Sequence, residues 1–395
     1  IPENMKSTNL KPERKNAWEV GLDWRFFDSR IGVDLTYYKE NTRNQIMTIN
    51  VPWESGVKEK LINAGNIQNS GIEIALNTTP IKKKQWQWDL NFTYTRNRNK
   101  IVELSPDVTS YINLDGAANY GNYRIASVAK VGSDYGMLMS DSWIKTDEKT
   151  GKPVVGYTNK FRTVYYKRGG TVKEVGSMLP NFLGSLNSTL RWKDLSLYVL
   201  FDARFGGYVA SYNSRYATAY GFSGETEKYR KGMTWTSKYA NAQDKVFTDG
   251  FIPDVVFDAG TIVTTPGGTN QDVSGMTYQE AYEKGYVEPA HLQSAAYFKN
   301  SWGTGVINDD WFKKINYIAL REITLSYNVP TKISSYIGAK NLSLSFTGRN
   351  LAYLLNTAPN HENPESVRGT GAAQFRMRSF MPYTASYLFT LNATF

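Results

Sequence analysis

The stretch WQWDLNFTYT, Trp86 to Thr95, alternates without a break. Trp86, Trp88, Leu90, Phe92 and Tyr94 fall on one side of an extended chain. Gln87, Asp89, Asn91, Thr93 and Thr95 fall on the other. A period of two marks a strand, because successive side chains point to opposite faces. One face is all rings and one leucine, and the other is small and polar. The run reaches the roughly 9–11 residues that a tilted strand needs to cross a bilayer core, where a soluble strand averages about 5–6.

The same pattern recurs along the chain. In AWEVGLDWRFF, Trp18, Val20, Leu22, Trp24 and Phe26 oppose Glu19, Gly21, Asp23 and Arg25. In DLSLYVLFDARF, Leu195, Leu197, Val199, Phe201, Ala203 and Phe205 oppose Ser196, Tyr198, Asp202 and Arg204. The final stretch sets Tyr387, Phe389, Leu391, Ala393 and Phe395 against Leu388, Thr390, Asn392 and Thr394. RIGVDLTYY, SGIEIAL, NFLGSLNSTLRW and LREITLSYNV alternate less cleanly. Short connections near 27–30, 79–85, 192–194 and 329–340 alternate with long ones near 43–65, 98–135, 206–315 and 352–382. Outer-membrane barrels combine short periplasmic turns with long extracellular loops. The reading is therefore an all-β chain, a transmembrane antiparallel β-barrel of roughly ten to twelve strands, with Phe395 at the periplasmic end. The segment 119–180 is expected to hold an even number of those strands. Trp24, Phe26, Trp86, Trp88 and Trp192 cluster at short turns, as an interfacial aromatic girdle would.

Composition agrees. Aromatic residues make up 14% of the 395, with 27 Tyr and 10 Trp, side chains that suit half-wet surroundings. The longest apolar run is LYVLF, Leu197 to Phe201, far short of the roughly 18 residues of a spanning helix. The mean hydropathy of −0.47 looks soluble, but alternation averages to such a value. With no cysteine, the chain has no disulfide and no thiolate metal site. The net charge of +10 is scattered apart from Lys82–Lys84 in a short turn, so nucleic acid is not expected as a partner. The remaining charge would face outer-membrane lipid and lipopolysaccharide phosphates, or simply form a solvated surface.

Catalytic motifs are absent. The two histidines, His291 and His361, lie in different long loops, and PNHENPES around His361 places Glu362 and Glu365 among solvated loop residues. No phosphate loop or nucleophile elbow occurs, so no catalytic residue is assigned and no enzyme is expected. No cofactor is expected either, although the carboxylates of PDVVFD and NDDW would suit a calcium ion in the longest loop. Cargo contacts are expected from aromatics of the loops and lumen: Tyr208, Tyr212, Tyr216, Trp235, Trp302 and Trp311. Such rings stack on sugars or anchor peptides. Packing of the loop against itself would use the same residues, and both readings stay open.

Six stretches together resemble one family. NLKPERKNAWEVGLDWRFFDSRIGVDLTYYKENTRNQI, NAGNIQNSGIEIAL (Asn63 to Leu76), LPNFLGSLNSTLRWKDLSLYVLFDARFGG (Leu179 to Gly207), LREITLSYNVP, FTGRNLAYL and MPYTASYLFTLNATF resemble, in order, segments of the SusC/RagA family of TonB-dependent transporters. The resemblance implies that residues 1–395 are the C-terminal part of a 22-stranded barrel, about half of it. The N-terminal extension, plug and first strands would lie outside this chain. It also implies energy-coupled import of an oligosaccharide or oligopeptide across the outer membrane of a Gram-negative bacterium. The implied partners are a SusD-like surface lipoprotein, the plug and remaining barrel, the TonB complex acting through that plug, and the barrel-assembly machinery. A dimer of transporter–lipoprotein pairs is implied too. Tyr387, Phe389, Leu391 and Phe395 would form the assembly signal. Half a barrel has two open edges whose unpaired groups are costly in lipid, so another piece is expected to close it. The alternative is a soluble or surface-attached β-rich module that binds glycans without transport; an outer-membrane enzyme ranks below both.

Overall fold

The computed structural model describes residues 4–5, 10–50, 56–57, 59–63, 65–106, 108, 110–114, 125–224, 227, 232–290, 307–309, 311–368, 371, 374–378 and 382–395. Nine long strands dominate it: β1 (Arg14–Phe26), β2 (Ile31–Arg43), β3 (Gly65–Lys82), β4 (Trp86–Leu104), β5 (Phe182–Trp192), β6 (Leu195–Ser211), β7 (Phe312–Val329), β8 (Asn341–Asn356) and β9 (Ser386–Thr394). They pair in chain order, each antiparallel to the next, as one meandering wall. β1 and β9 are its edges, and among the described residues no ladder joins them.

Register makes the faces continuous from strand to strand. Trp88 sits opposite Leu190, Leu190 opposite Leu197, and Leu197 opposite Leu325. This apolar face is not covered. Val20 is 64% exposed, Trp24 55%, Phe346 53% and Phe389 71%. A soluble sandwich would bury this face against a second sheet. Here the buried apolar clusters lie in the long connections and in the strand ends that carry them.

The connections at one end are tight. Phe27, Asp28 and Ser29 carry the β1–β2 reversal with positive φ of 51°, 51° and 62°. A single-turn helix, Thr331–Ser334, and a 3-10 turn, Ser335–Ile337, join β7 to β8 and stop at Gly338, whose φ of 75° favours glycine. All long connections emerge at the other end. Among the described residues of 119–180, the expected even number of barrel strands is zero. That segment forms short strands, Ile125–Lys130, Met137–Ser140, Val154–Thr158, Thr163–Tyr166 and Lys173–Ser177, which never join the wall. Val128, Leu138, Val155 and Val164 are fully buried, so their apolar side chains serve a local core. The wall has nine long strands, and two short ones, Val367–Arg368 and Arg376–Met377, attach at the upper end of β6 to make a sheet of eleven, within the expected ten to twelve.

Two long connections interlock into one lobe. Val154–Thr158 runs parallel to Val256–Phe257, Lys145 Nζ meets Asp258 Oδ1 at 2.7 Å, and the Thr264 N–H donates to Asn159 Oδ1 at 2.7 Å. Phe257 and Tyr278 fill its centre with ring centroids 5.5 Å apart.

Candidate functional site

The face opposite the apolar one is lined with short polar side chains that bond across strands. Thr93 and Ser185 hydroxyls are 2.6 Å apart, Thr324 and Thr347 2.9 Å, and Ser326 and Ser345 2.9 Å. Asn187 donates to Asn91 at 3.4 Å, and Asn91 in turn bonds Asn77. Asp89 collects Thr79 at 2.8 Å, Gln87 at 2.8 Å and Arg191 at 2.5 Å. Most of these donors and acceptors occur as neighbours in register, so a residue's polar partner follows from the alternation itself.

One position breaks the alternation and re-aims a side chain. Leu200 pairs with Glu322 and Phe201 with Leu320, which leaves Arg321 as an extra residue on β7. On the other side β8 carries the surplus, where Leu320 pairs with Ala352 and Glu322 with Arg349, and Asn350 takes a φ of 51°. Bulges of this kind redirect side chains and bend the strand. The Arg321 guanidinium meets Asp202 Oδ2 at 2.7 Å and grips both oxygens of Glu365 at 2.7 and 2.6 Å. The Tyr353 hydroxyl donates to the same carboxylate at 2.8 Å. Burial works against the Glu365 charge, but the bonds from Arg321 and Tyr353 hold its carboxyl below the usual range.

Three residues earlier, Glu362 is 6% exposed and accepts hydrogen bonds from Ser211 at 3.0 Å and Ser214 at 3.2 Å. These serines open helix α1 (Tyr212–Ala219), with Ser211 as its N-cap. Burial pushes the Glu362 carboxyl above its usual range against those bonds. The two glutamates thus clasp the β8–β9 connection to the bulge in the wall and to the loop that leaves β6. The expectation of solvated loop residues fails for Glu362, because the serine hydroxyls are contributed from far away in sequence.

The expected cargo aromatics fall into separate places. Tyr212 and Tyr216 form a ladder on α1 with centroids 4.8 Å apart, extended by Tyr220 at 6.3 Å. Tyr208 leans on Phe312 at 6.5 Å. Trp235 stacks on Phe247 at 4.9 Å in the lobe, and its indole N–H donates to Glu288 at 3.2 Å. Trp311 is 1% exposed and seals the base of the loops beside Ile125 and Met377, so its ring offers no open face. Trp302 and His291 lie outside the described residues. In the proposed calcium segments Asp258 is held by Lys145, and Asp309 accepts the Ile144 N–H at 3.0 Å. Burial opposes the Asp258 charge, but the lysine beside it keeps the carboxyl low. Among the described residues no three His, Asp or Glu side chains gather to hold a metal. Tyr387, Phe389, Leu391 and Phe395 are all exposed on the outer face of the last strand.

Comparison with known proteins agrees with this geometry. Residues 3–159 match the family described as TonB dependent receptor-like, beta-barrel. TonB-dependent receptor P26 of Formosa agariphila is 23% identical over 350 residues, covering 87% of this chain and 30% of that protein. TonB-dependent receptor SusC of Bacteroides thetaiotaomicron is 28% identical over 149 residues, 37% of this chain and 15% of its own length. The RagAB peptide transporter superposes with a TM-score of 0.60 at 15% identity, over 97% of this chain and 35% of that one, a likeness of fold. The chain spans about a third or less of the length of these relatives. With its outward apolar face, inward polar face and one-sided long loops, the chain is similar to the TonB-dependent receptors and carries antiparallel strands of a β-barrel-type fold like theirs.

Proposed function

We propose that this chain is the C-terminal part of a SusC/RagA-type barrel in the outer membrane of a Gram-negative bacterium. There it serves TonB-dependent import of an oligosaccharide or oligopeptide. The observation that carries this reading is the two-sided wall: rings and aliphatic side chains outside, amides, hydroxyls and charges inside, over nine consecutive strands. Lipid satisfies the first face and a watery lumen the second. The remaining barrel strands would pair with the free edges of β1 and β9, since lipid tolerates no open edge. A plug from the same polypeptide would fill the lumen and answer to the TonB complex. Tyr387, Phe389, Leu391 and Phe395 would be read by the assembly machinery before the last strand closes the sheet.

In this reading a SusD-like lipoprotein caps the mouth formed by the long connections, and two such pairs associate. Cargo would meet the Tyr212–Tyr216–Tyr220 ladder and the Trp235–Phe247 stack at the mouth, then the polar lumen. The chemistry is recognition and gating, with no covalent step. The test is uptake: cells with and without the gene are offered separate oligosaccharide and oligopeptide pools, and depletion is followed by mass spectrometry. The expected result is depletion of one pool that needs the gene and stops with a protonophore. No energy-dependent depletion of either pool, with the protein present in the outer membrane, would contradict the proposal.

A further inference from the structure

β4 outruns its neighbour. Its pairing with β5 ends at Thr95 opposite Leu183, yet β4 continues to Leu104 with β3 still beside it. The chain entering β5 turns aside, and the Asn181 N–H is tied to the Phe205 carbonyl at 2.7 Å. Higher up, the turn at Gly132–Ser133 takes over the vacant edge, bonding both the N–H and the C=O of Ile101 at 2.9 and 2.8 Å. Between these two closures the wall has a notch, a cavity of about 570 Å³ lined by Gln68, Ser70, Arg96, Arg98, Lys100 and Asp134 among others. That volume falls within the roughly 300–1,000 Å³ of small-ligand sites.

The direction of the notch follows from register. β4 pairs with β5 without a bulge, and the two shifts in its ladder with β3 lie at Thr78/Ile81 and Asn66/Ile67. Arg96, Arg98 and Lys100 therefore share the face of Trp86, Trp88, Leu90, Phe92 and Tyr94. Gln68 opposite Lys100 and Ser70 opposite Arg98 extend that face onto β3. The notch opens on the apolar, outward side of the wall. Height follows too. At about 3.3 Å per residue and a tilt near 40°, the run from Trp86 to Tyr94 rises about 20 Å, close to the roughly 25 Å apolar band of such barrels. A second aromatic row marks its upper rim: Tyr94 and Phe182 have centroids 5.3 Å apart, and Phe182 and Phe205 4.8 Å. The three cations stand directly above that row.

Their pairing state sets them apart. Four inward arginines are matched to carboxylates, Arg25 to Asp23, Arg191 to Asp89, Arg321 to Asp202 and Arg349 to Glu322, and a fifth, Arg204, donates to the Met178 and Gly206 carbonyls. The side chains of Arg96, Arg98 and Lys100 have no hydrogen bond or ion pair among the described residues. Asp134 is the one carboxylate in the lining. Three like charges facing outward at headgroup height call for an anion from the lipid side.

We propose that this notch binds the phosphate-bearing headgroup of an acidic outer-leaflet glycolipid. Arg96, Arg98 and Lys100 take the phosphate, and Gln68 and Ser70 meet the sugar hydroxyls. The proposal rests on the membrane reading above. In the test, the membrane-embedded protein is purified and stripped of lipid in detergent. It is then offered a phosphorylated diglucosamine lipid or the same lipid dephosphorylated, and adducts are counted by native mass spectrometry. The phosphorylated lipid is expected to bind at least about tenfold more tightly, the scale of one or two charge-assisted hydrogen bonds. The Arg96→Gln/Arg98→Gln/Lys100→Gln variant loses that preference, whereas Asp134→Asn keeps or strengthens it. Equal binding of the two lipids, or an unchanged preference in the triple variant, would overturn the proposal. So would displacement of the lipid by an equal concentration of inorganic phosphate, which would mark a free-anion site. Each variant is also washed with carbonate: retention in the membrane with lost preference reports the notch alone, whereas release of the wild-type chain would overturn the membrane reading and this proposal with it.

Discussion

At Arg321 a single surplus residue converts a regular wall into a point of attachment. Its guanidinium is bonded to Asp202 on β6 and to Glu365 in the β8–β9 connection. Replacing Glu365 by Ala removes charge-assisted bonds that are worth about 1–2 kcal/mol after discounting for partial exposure. Hydrogen exchange should rise across residues 357–368, with strand protection unchanged. The two glutamates respond to pH in opposite senses. The Glu362 carboxyl is raised by burial, so its contribution is complete at low pH and fades as pH climbs through the raised value. The Glu365 carboxyl is lowered, so its contribution is present above the ordinary carboxylate range and is lost as pH falls through the lowered value. Exchange of the 357–368 segment measured against pH should therefore slow on mild acidification and then accelerate. Glu362→Gln should erase the first limb and Glu365→Gln the second. A single monotonic profile in the wild type would refute this account of the clasp.

At the scale of elements, the long strands were legible because their period is unbroken and each face has one character. WQWDLNFTYT needs no tertiary information to be placed. LREITLSYNV was less clean for a physical reason: Arg321 is the bulge, so Leu320 and Ile323 share a face despite their odd spacing. The short strands of 125–177 were not countable, because their apolar residues serve a local core and carry no lipid-facing period. The clasp was invisible, since Ser211 and Glu362 meet across 151 positions of sequence. Aromatic content in the long loops did not separate platforms from packing, as the buried Trp311 and the stacked Trp235 demonstrate. The lobe itself yields a prediction. Phe257→Ala opens its centre beneath Tyr278 and should cost about 3–5 kcal/mol there. Limited proteolysis should then cut within 146–168 and 246–290 while the strand wall stays resistant. Equal resistance of lobe and wall would mean that the two loops do not depend on each other.

For the molecule as a whole, the decisive property is the inversion of an ordinary protein. The apolar face is outside, the polar face is inside, and the buried cores sit in the loops at one end. That arrangement is stable only with lipid on one side and with both sheet edges paired. Phe395, which follows the edge strand β9, is 71% exposed, and the outward residues Tyr387, Phe389 and Leu391 of β9 share its exposure. Charging this face with Phe389→Lys and Leu391→Lys should lower the amount of protein assembled in the outer membrane several-fold and raise the soluble or degraded fraction. Thr390→Lys, on the lumen side, should be tolerated. Unchanged assembly of the double variant would argue against β9 facing lipid.

The most direct test returns to Trp86–Thr95. The chain contains no cysteine of its own, so single cysteines can be placed one at a time along this stretch. In the membrane-embedded protein each is spin-labelled and its collisions with a water-soluble and a lipid-soluble relaxant are measured. A strict period of two is expected: positions 86, 88, 90, 92 and 94 favour the lipid-phase reagent, and 87, 89, 91, 93 and 95 the aqueous one. Uniform aqueous accessibility, or burial of the even positions from both reagents, would contradict it and return the chain to the class of soluble sheets.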